Sequence, residues 1–284
     1  MIKVKNLNYI YKKSAKHAVK GIDFAIKKGE IFGFLGPSGA GKSTTQKILI
    51  KLLDGYSGDI KVFGKDLSSF DSSYYEKLGI GFELPNHFSK LTAKENLEFF
   101  KSFYKNQNAD IDTLLKCVGL FDDKDDLVEN FSKGMKMRLN FVRALLNDAD
   151  LFFFDEPTTG LDPVNSKIVK DLILEQKNKG KTIFVTTHDM HVADSLCDRV
   201  AFIVDGEIVE IDTPKALKLK YGLKVVEIEY YVNGEIKSSA FDLESYGINP
   251  EFLKIIKNYE TRTIHSQETT LEDVFIKVTG RSLY

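Results

Sequence analysis

Eight residues, Gly36-Pro-Ser-Gly-Ala-Gly-Lys42-Ser43, constrain this chain more than any other feature, because an apolar strand pattern over residues 31–35 runs straight into them and a helical pattern leaves them. The helical spacing over residues 43–53 is carried by Ile48, Leu49, Leu52 and Leu53, and Gly55 supplies a stop. The spacing G-x-x-x-x-G-K-S is that of a phosphate loop. Its glycines let successive backbone N–H groups point at phosphate oxygens, and the helix that follows presents its positive end. Gly36, Pro37, Ser38, Gly39, Ala40, Gly41, Lys42, Ser43 and Thr44 are therefore the expected phosphate-binding residues. Within that set Lys42 would reach the β- and γ-phosphates and Ser43 would offer its hydroxyl to Mg²⁺.

A phosphate loop alone says only that a nucleotide binds. The second element is Leu151-Phe-Phe-Phe-Asp155-Glu156, three phenylalanines that end abruptly in two acids. An acidic pair after an apolar strand is, in isolation, an ordinary turn. After a phosphate loop it reads differently, because parallel sheets place their ligands at the carboxyl ends of the strands. Asp155 is then the expected Mg²⁺ ligand and Glu156 the group that polarises an attacking water.

The remaining patterns organise the chain. Residues 2–7 and 21–26 alternate as short strands, which predicts an N-terminal antiparallel sheet. Residues 91–150 are mainly helical in pattern, and Thr92-Ala-Lys-Glu95 forms a capping box ahead of a helix over residues 96–104. Two buried-strand patterns, 151–154 and 182–186, are separated by a helix-length stretch, which predicts a parallel sheet. The apolar run 200–204 and the turn at Asp205-Gly206 close the main domain, and Thr213-Pro214 starts a short helix. Beyond Gly222, alternation from Val226 to Val232 ending at Asn233-Gly234 predicts a hairpin, and Leu271, Val274, Phe275 and Val278 predict a final helix.

Composition narrows the class. The 43% hydrophobic content is that of a folded protein, and no apolar run approaches the roughly 18 residues that cross a bilayer. The expectation is a cytosolic chain without direct membrane insertion. Its 40 basic and 41 acidic residues give a net charge of -1, so nothing global attracts nucleic acid, and none is expected as a partner. Cys117 and Cys197 lack any metal-ligand spacing and read as partly buried thiols of a reduced compartment.

With these residues in view, a family resemblance is visible. Phe131-Ser132-Lys133-Gly134-Met135 resembles the signature loop of ATP-binding-cassette (ABC) ATPases, and Asp155-Glu156-Pro157-Thr158-Thr159-Gly160-Leu161-Asp162-Pro163 resembles their catalytic strand and adjoining loop. His188 follows an apolar strand where the family keeps a switch histidine, and the match extends over about residues 2 to 212. From the residues alone, Ser132 is a cap for the helix bearing Leu139, Val142 and Leu146.

The resemblance implies an α/β phosphate-loop (RecA-like) NTPase fold with a parallel-sheet core. It implies a nucleotide-binding domain over residues 1–214, containing an N-terminal antiparallel subdomain and a helical subdomain at about 83–150, and a small α+β domain over 215–284. It implies Mg²⁺-dependent ATP hydrolysis in a head-to-tail pair of cassettes, most simply a homodimer. Ser132 and Gly134 would then meet ATP across the pair, while Lys42, Ser43, Asp155, Glu156 and His188 act from the near side and Asp162 lies at the junction. An aromatic ring stacks on adenine at the position of Tyr11, with Tyr9 as the alternative. Counting back from Leu91-Thr92 puts Glu83 where the family usually has glutamine; Glu83 is expected to orient Mg²⁺ or water. The C-terminal stretch from Thr270 to Arg281 resembles cassettes serving drug, antibiotic-peptide and polysaccharide exporters. The implied function is ATP-driven export through separately encoded integral membrane subunits, gripped near residues 83–91 and the helical region, with this chain peripheral on the cytoplasmic face of the membrane. The competing readings are a soluble mechanical or regulatory ATPase of the same superfamily and a nucleotide sensor that does not hydrolyse.

Overall fold

The computed structural model describes residues 1–12, 16–222, 224–266 and 269–281. The chain opens with β1 (Ile2–Ile10) and β2 (His17–Ile26), an antiparallel pair. Ile2, Val4, Leu7 and Tyr9 are all buried, although strict alternation would bury residue 6 and expose residue 7. The parity is reset at Asn6, whose backbone lies at φ 47 and where the register of β1 against β2 shifts. β3 (Ile31–Leu35) is wholly buried and leads through the glycine-rich loop into α1 (Lys42–Leu49). β4 (Ser57–Val62) and β5 (Lys65–Asp66) then complete a four-stranded sheet of order β2-β1-β4-β5.

The central sheet has six strands, with β6 (Leu78–Gly81), β7 (Leu151–Asp155), β8 (Thr182–Thr187), β9 (Arg199–Val204) and β10 (Glu207–Asp212) joining β3 in the order β10-β9-β3-β8-β7-β6. Every pairing is parallel except the edge hairpin of β9 and β10. β3 lies between β8 and β9, with Phe32 opposite Phe184 and Gly33 opposite both Val185 and Val200. Such a strand has no polar face, which is why its sequence is a continuous apolar run. Phe34, Phe153 and Phe184 pack ring on ring, with centroids 5.3 and 5.6 Å apart along the chain of contacts. β6 is absent from the sequence expectation. Its Leu-Gly-Ile-Gly composition reads as a loop, but the glycines are there for space: a Cβ on Gly79 would overlap the Phe152 ring and the Ala144 carbonyl.

The helical segment comprises α2 (Ala93–Lys101), α3 (Ile111–Cys117) and α4 (Lys133–Ala144). The Thr92–Glu95 capping box forms in both directions, at 2.8 and 3.1 Å, so α2 starts at Ala93. It also stops at Lys101, three residues short of the expected end. α5 (Pro163–Asn178) connects β7 to β8, and α6 (Met190–Leu196) connects β8 to β9. One reading of the thiols is corrected: Cys197 is buried, and burial pushes its thiol up to about 12, but Cys117 is exposed because it closes α3 on its outer side.

Lys215–Gly280 forms a second compact unit. It contains α7 (Pro214–Tyr221), a three-stranded sheet of order β12-β11-β13 from β11 (Val225–Val232), β12 (Glu235–Asp242) and β13 (Thr261–Ser266), and the helices α8 (Pro250–Asn258) and α9 (Leu271–Thr279). Asn233 and Gly234 both adopt positive φ, 54 and 85, as a two-residue hairpin turn requires. Val226, Ile228 and Phe241 pack with Phe252 and Ile255 of α8 in a small core. Among the described residues no helix is long and apolar enough to cross a membrane.

Candidate functional site

β3 ends where the loop must turn tightly to deliver α1, and Gly41 does this at φ 107, a conformation closed to residues with a Cβ. A side chain there would also press on the Ala18 carbonyl. The loop is held from both sides. Gly206 N donates to Ala40 O at 3.0 Å, and Thr45 Oγ1 donates to Gly41 O at 2.9 Å. Lys42 turns back over the loop and donates to Gly36 O at 2.6 Å and Pro37 O at 3.1 Å. Its ammonium is pulled below the usual lysine range by burial, against the opposing attraction of Glu156, Asp155 and Glu83. Three carboxylates thus share the field of one buried cation.

β7 lies one strand away from β3 and brings its two acids to the same end of the sheet. Asp155 is buried, accepts from the Thr186 hydroxyl of β8, and lies 3.3 Å from Ser43 Oγ. A hydroxyl beside a carboxylate fits Mg²⁺, which takes few protein ligands and completes its shell with water and substrate phosphates.

Glu156 has left the strand for the left-handed region, φ 49, which for a glutamate costs on the order of 1–3 kcal/mol. Its backbone is over-determined there, donating to Thr186 O at 3.0 Å and accepting from Thr159 N at 3.2 Å. The carboxylate is held on both oxygens, by His188 Nδ1 at 2.8 Å and by Thr159 Oγ1 at 3.1 Å. With the glutamate ionised, Nδ1 carries the proton and donates.

Lys42, Ser43, Glu156, His188, Glu83 and Tyr11 line one cavity of about 570 Å³, together with Ala18, Thr44 and the loop residues Ser38, Gly39 and Gly41. That volume suits a nucleotide-sized ligand. Tyr11 is half-exposed, meets Tyr9 edge-on at 5.0 Å, and its hydroxyl is 3.0 Å from Thr44 Oγ1. Tyr9 itself is buried, so of the two aromatics only Tyr11 presents a face to the cavity.

Seven expected residues lie outside that lining: Gly36, Pro37 and Ala40 of the loop, Asp155 at the end of β7, and Ser132, Gly134 and Asp162. Ser132 caps α4 by accepting from Met135 N at 3.2 Å, and Gly134 is in its first turn. Asp162 caps α5, accepting from Val164 N at 3.0 Å and Asn165 N at 3.1 Å, and the Asn165 backbone holds its carboxyl below the usual range. Sequence reading missed Thr186 and Thr159, which fix Asp155 and Glu156. The signal for Thr186 was present: in β8 the apolar run 183–185 gives way to a threonine pair.

Known proteins resemble this chain closely. The family described as ABC transporter matches residues 19–159, and one described as fluoroquinolone efflux ABC transporter C-terminal domain matches residues 224–268. Over 284 residues, covering 100% of this chain and 94% of the relative, the sequence is 50% identical to a fluoroquinolones export ATP-binding protein of Mycobacterium tuberculosis. It is 32% identical to a bacitracin transport ATP-binding protein of Bacillus licheniformis, over 99% of this chain and 97% of that one. Among solved structures, a dimeric post-hydrolysis ATP-binding cassette bound to ADP and Pi superposes with a TM-score of 0.67 at 29% identity, covering 75% of this chain and 98% of that one.

Proposed function

Because this chain belongs to the ABC transporter family, as one of its ATP-binding, ATP-hydrolysing subunits, we propose that it drives export as half of a head-to-tail pair on integral membrane subunits. The observation that carries the reading is the single cavity in which Lys42 faces Glu156 and His188, a phosphate-binding cation opposite a buried carboxylate fixed by an imidazole. In it Glu156 polarises the attacking water, His188 holds Glu156 and meets the γ-phosphate, and Tyr11 stacks on adenine. Ser132 and Gly134 reach the nucleotide of the opposite chain, and Asp162 lies at the junction of the two. Ser43, Asp155 and Glu83 would hold Mg²⁺, which neutralises phosphate charge when bound. Residues 1–214 form the nucleotide-binding domain and residues 215–284 the accessory domain. The export and transport names of the relatives favour this reading over a soluble regulatory ATPase.

The membrane subunits dock beside the Glu83 segment. Phe88, Phe99 and Phe103 are exposed there and pack edge to face at 4.8 and 5.0 Å, an apolar patch rarely left open to water. A cleft of about 480 Å³ lined by Phe82, Phe88, Phe100 and Tyr104 adjoins it. This position is peripheral, on the cytoplasmic face. The test is purification of the tagged chain from mild-detergent extracts. An integral membrane protein should come with it and raise its turnover, and Phe99→Asp with Phe103→Asp should release that protein. Recovery of the chain alone, with turnover indifferent to membranes, would return the reading to a soluble ATPase.

Glu83 departs from the family's usual glutamine and adds negative charge beside a triphosphate. Glu83→Gln is expected to change turnover by about threefold to tenfold, because the amide removes a negative charge from the field shared with Lys42. Turnover indistinguishable from the parent would remove Glu83 from the site.

A further inference from the structure

Residues 82–88 carry Glu83 into the cavity without forming a helix or strand, so their backbone polar groups need partners from elsewhere. Asn96 of α2 bonds both backbone groups of Phe88, and side chains of α4 bond two carbonyls further back. Asn140 Nδ2 donates to Phe82 O at 2.6 Å and Arg143 Nη1 donates to Asn86 O at 2.9 Å. The two are tied together, Arg143 Nη2 donating to Asn140 Oδ1 at 2.7 Å. A third tie runs from His87 Nε2 to Lys136 O at 3.0 Å; since a carbonyl only accepts, Nε2 carries the proton. Burial holds that imidazole neutral, with its pKa lowered to about 4.

Arg143 is the informative member. Its guanidinium is half-buried, lies 4.7 Å over the Phe100 ring and makes no ion pair with a carboxylate among the described residues. Withdrawing part of a guanidinium from water onto one backbone carbonyl and one side-chain amide oxygen, with no carboxylate opposite, costs solvation that an apolar residue of the same size would not lose. What that arrangement does is grip the Glu83 segment by its main chain, whatever side chains the segment carries. The gripping helix is α4, capped at its other end by Ser132 and roughly 18 Å long for its 12 residues.

We propose that Asn140 and Arg143 are positioning residues that yoke the Glu83 segment to the helix bearing Ser132 and Gly134. One chain's hold on its own nucleotide and its contribution to the opposite nucleotide then shift together. This rests on the paired-site reading above, in which Glu83 acts on the near nucleotide and Ser132 on the far one. The yoke gives two sites a mechanical link that passes through one helix, with α4 as the lever.

Mixed pairs of differently tagged full-length chains test it. One chain carries Lys42→Ala, so a single site remains, built from Lys42 and Glu83 of the intact chain and Ser132 of the substituted one. Arg143→Ala is then introduced into either chain. The yoke requires both placements to lower kcat/KM for ATP at least tenfold and to raise KM about threefold or more; mere loss of folded protein would lower the maximum alone. Asn140→Ala should act in the same direction, and Arg143→Lys should restore part of the loss, which keeps the test open if Arg143→Ala folds poorly. An effect confined to the chain with intact Lys42 would mean that Arg143 only shapes its own Glu83 segment, and would overturn the yoke, as would an effect in neither placement. Ser132→Ala in the Lys42→Ala chain reports on the shared site separately. If turnover survives it, the paired-site reading fails and the yoke fails with it.

Discussion

Glu156→Gln is expected to lower ATP turnover by about a thousandfold or more while leaving ATP bound. The substitution is nearly isosteric, and its amide can still meet Thr159 and His188, the two groups that hold the carboxylate now at 3.1 and 2.8 Å. What it removes is the basic oxygen. General-base assistance is worth roughly 10²–10⁴ in rate, and a buried base held on both oxygens by fixed partners belongs at the upper part of that range. The cavity becomes less negative, so ATP affinity should rise or hold. The paired, ATP-bound state should therefore accumulate, visible as a shift to twice the mass by light scattering in ATP and Mg²⁺, alongside loss of phosphate release. An unchanged rate would remove Glu156 as the base. Thr159→Val should show a smaller loss of kcat with KM unchanged, since it frees one oxygen without removing the base.

Lys42→Ala should abolish measurable turnover and weaken ATP binding at least a hundredfold, read by calorimetry on the nucleotide-free chain. The cation is surrounded by Glu156, Asp155 and Glu83, whose fields hold its charge against burial. Without it, a triphosphate approaches three carboxylates and no buried counter-charge. Lys42→Arg keeps the charge but cannot keep the two bonds to Gly36 O and Pro37 O in the space of an ammonium, so it should also lose most binding. Binding within threefold of the parent in either variant would show that the backbone of the loop, not the lysine, holds the phosphates. In pairs with an unsubstituted chain, Lys42→Ala should silence its own site and leave its Ser132 able to serve the other.

Much of this architecture was legible because its signals are local. The phosphate loop is contiguous, the buried strands β3 and β7 announce themselves as apolar runs, and the Thr92–Glu95 box and the Asn233-Gly234 turn are set by residues within four positions of one another. What escaped was written across the chain instead. β6 looks like a loop because its glycines answer to Phe152 and Phe154, residues some seventy positions later. Thr186 matters because of Asp155, and Arg143 because of Asn86, neither of which is near it in sequence. Tyr11 was preferred over Tyr9 by resemblance only; in the structure Tyr9 is buried within β1, and Tyr11, just past the strand's end, lines the cavity. The C-terminal unit was read as a short helix, a hairpin and a final helix; α8 and β13 were missed, the latter because its Thr-Arg-Thr-Ile-His-Ser sequence has only one apolar residue.

The position of β3 in the central sheet has a consequence for how the protein is made. β3 ends at Leu35, but its two hydrogen-bonding neighbours, β8 and β9, begin at Thr182 and Arg199. At translation speeds of roughly 5–20 residues per second, the strand that launches the phosphate loop waits on the order of ten seconds or more for any partner in its sheet. An incomplete nascent chain therefore carries the whole nucleotide-binding motif without the means to hold its shape, and prematurely terminated products should neither sequester ATP nor compete for a partner. Their exposed Ile31–Leu35 segment, with no polar face, is instead what a chaperone at the exit of the ribosome would recognise.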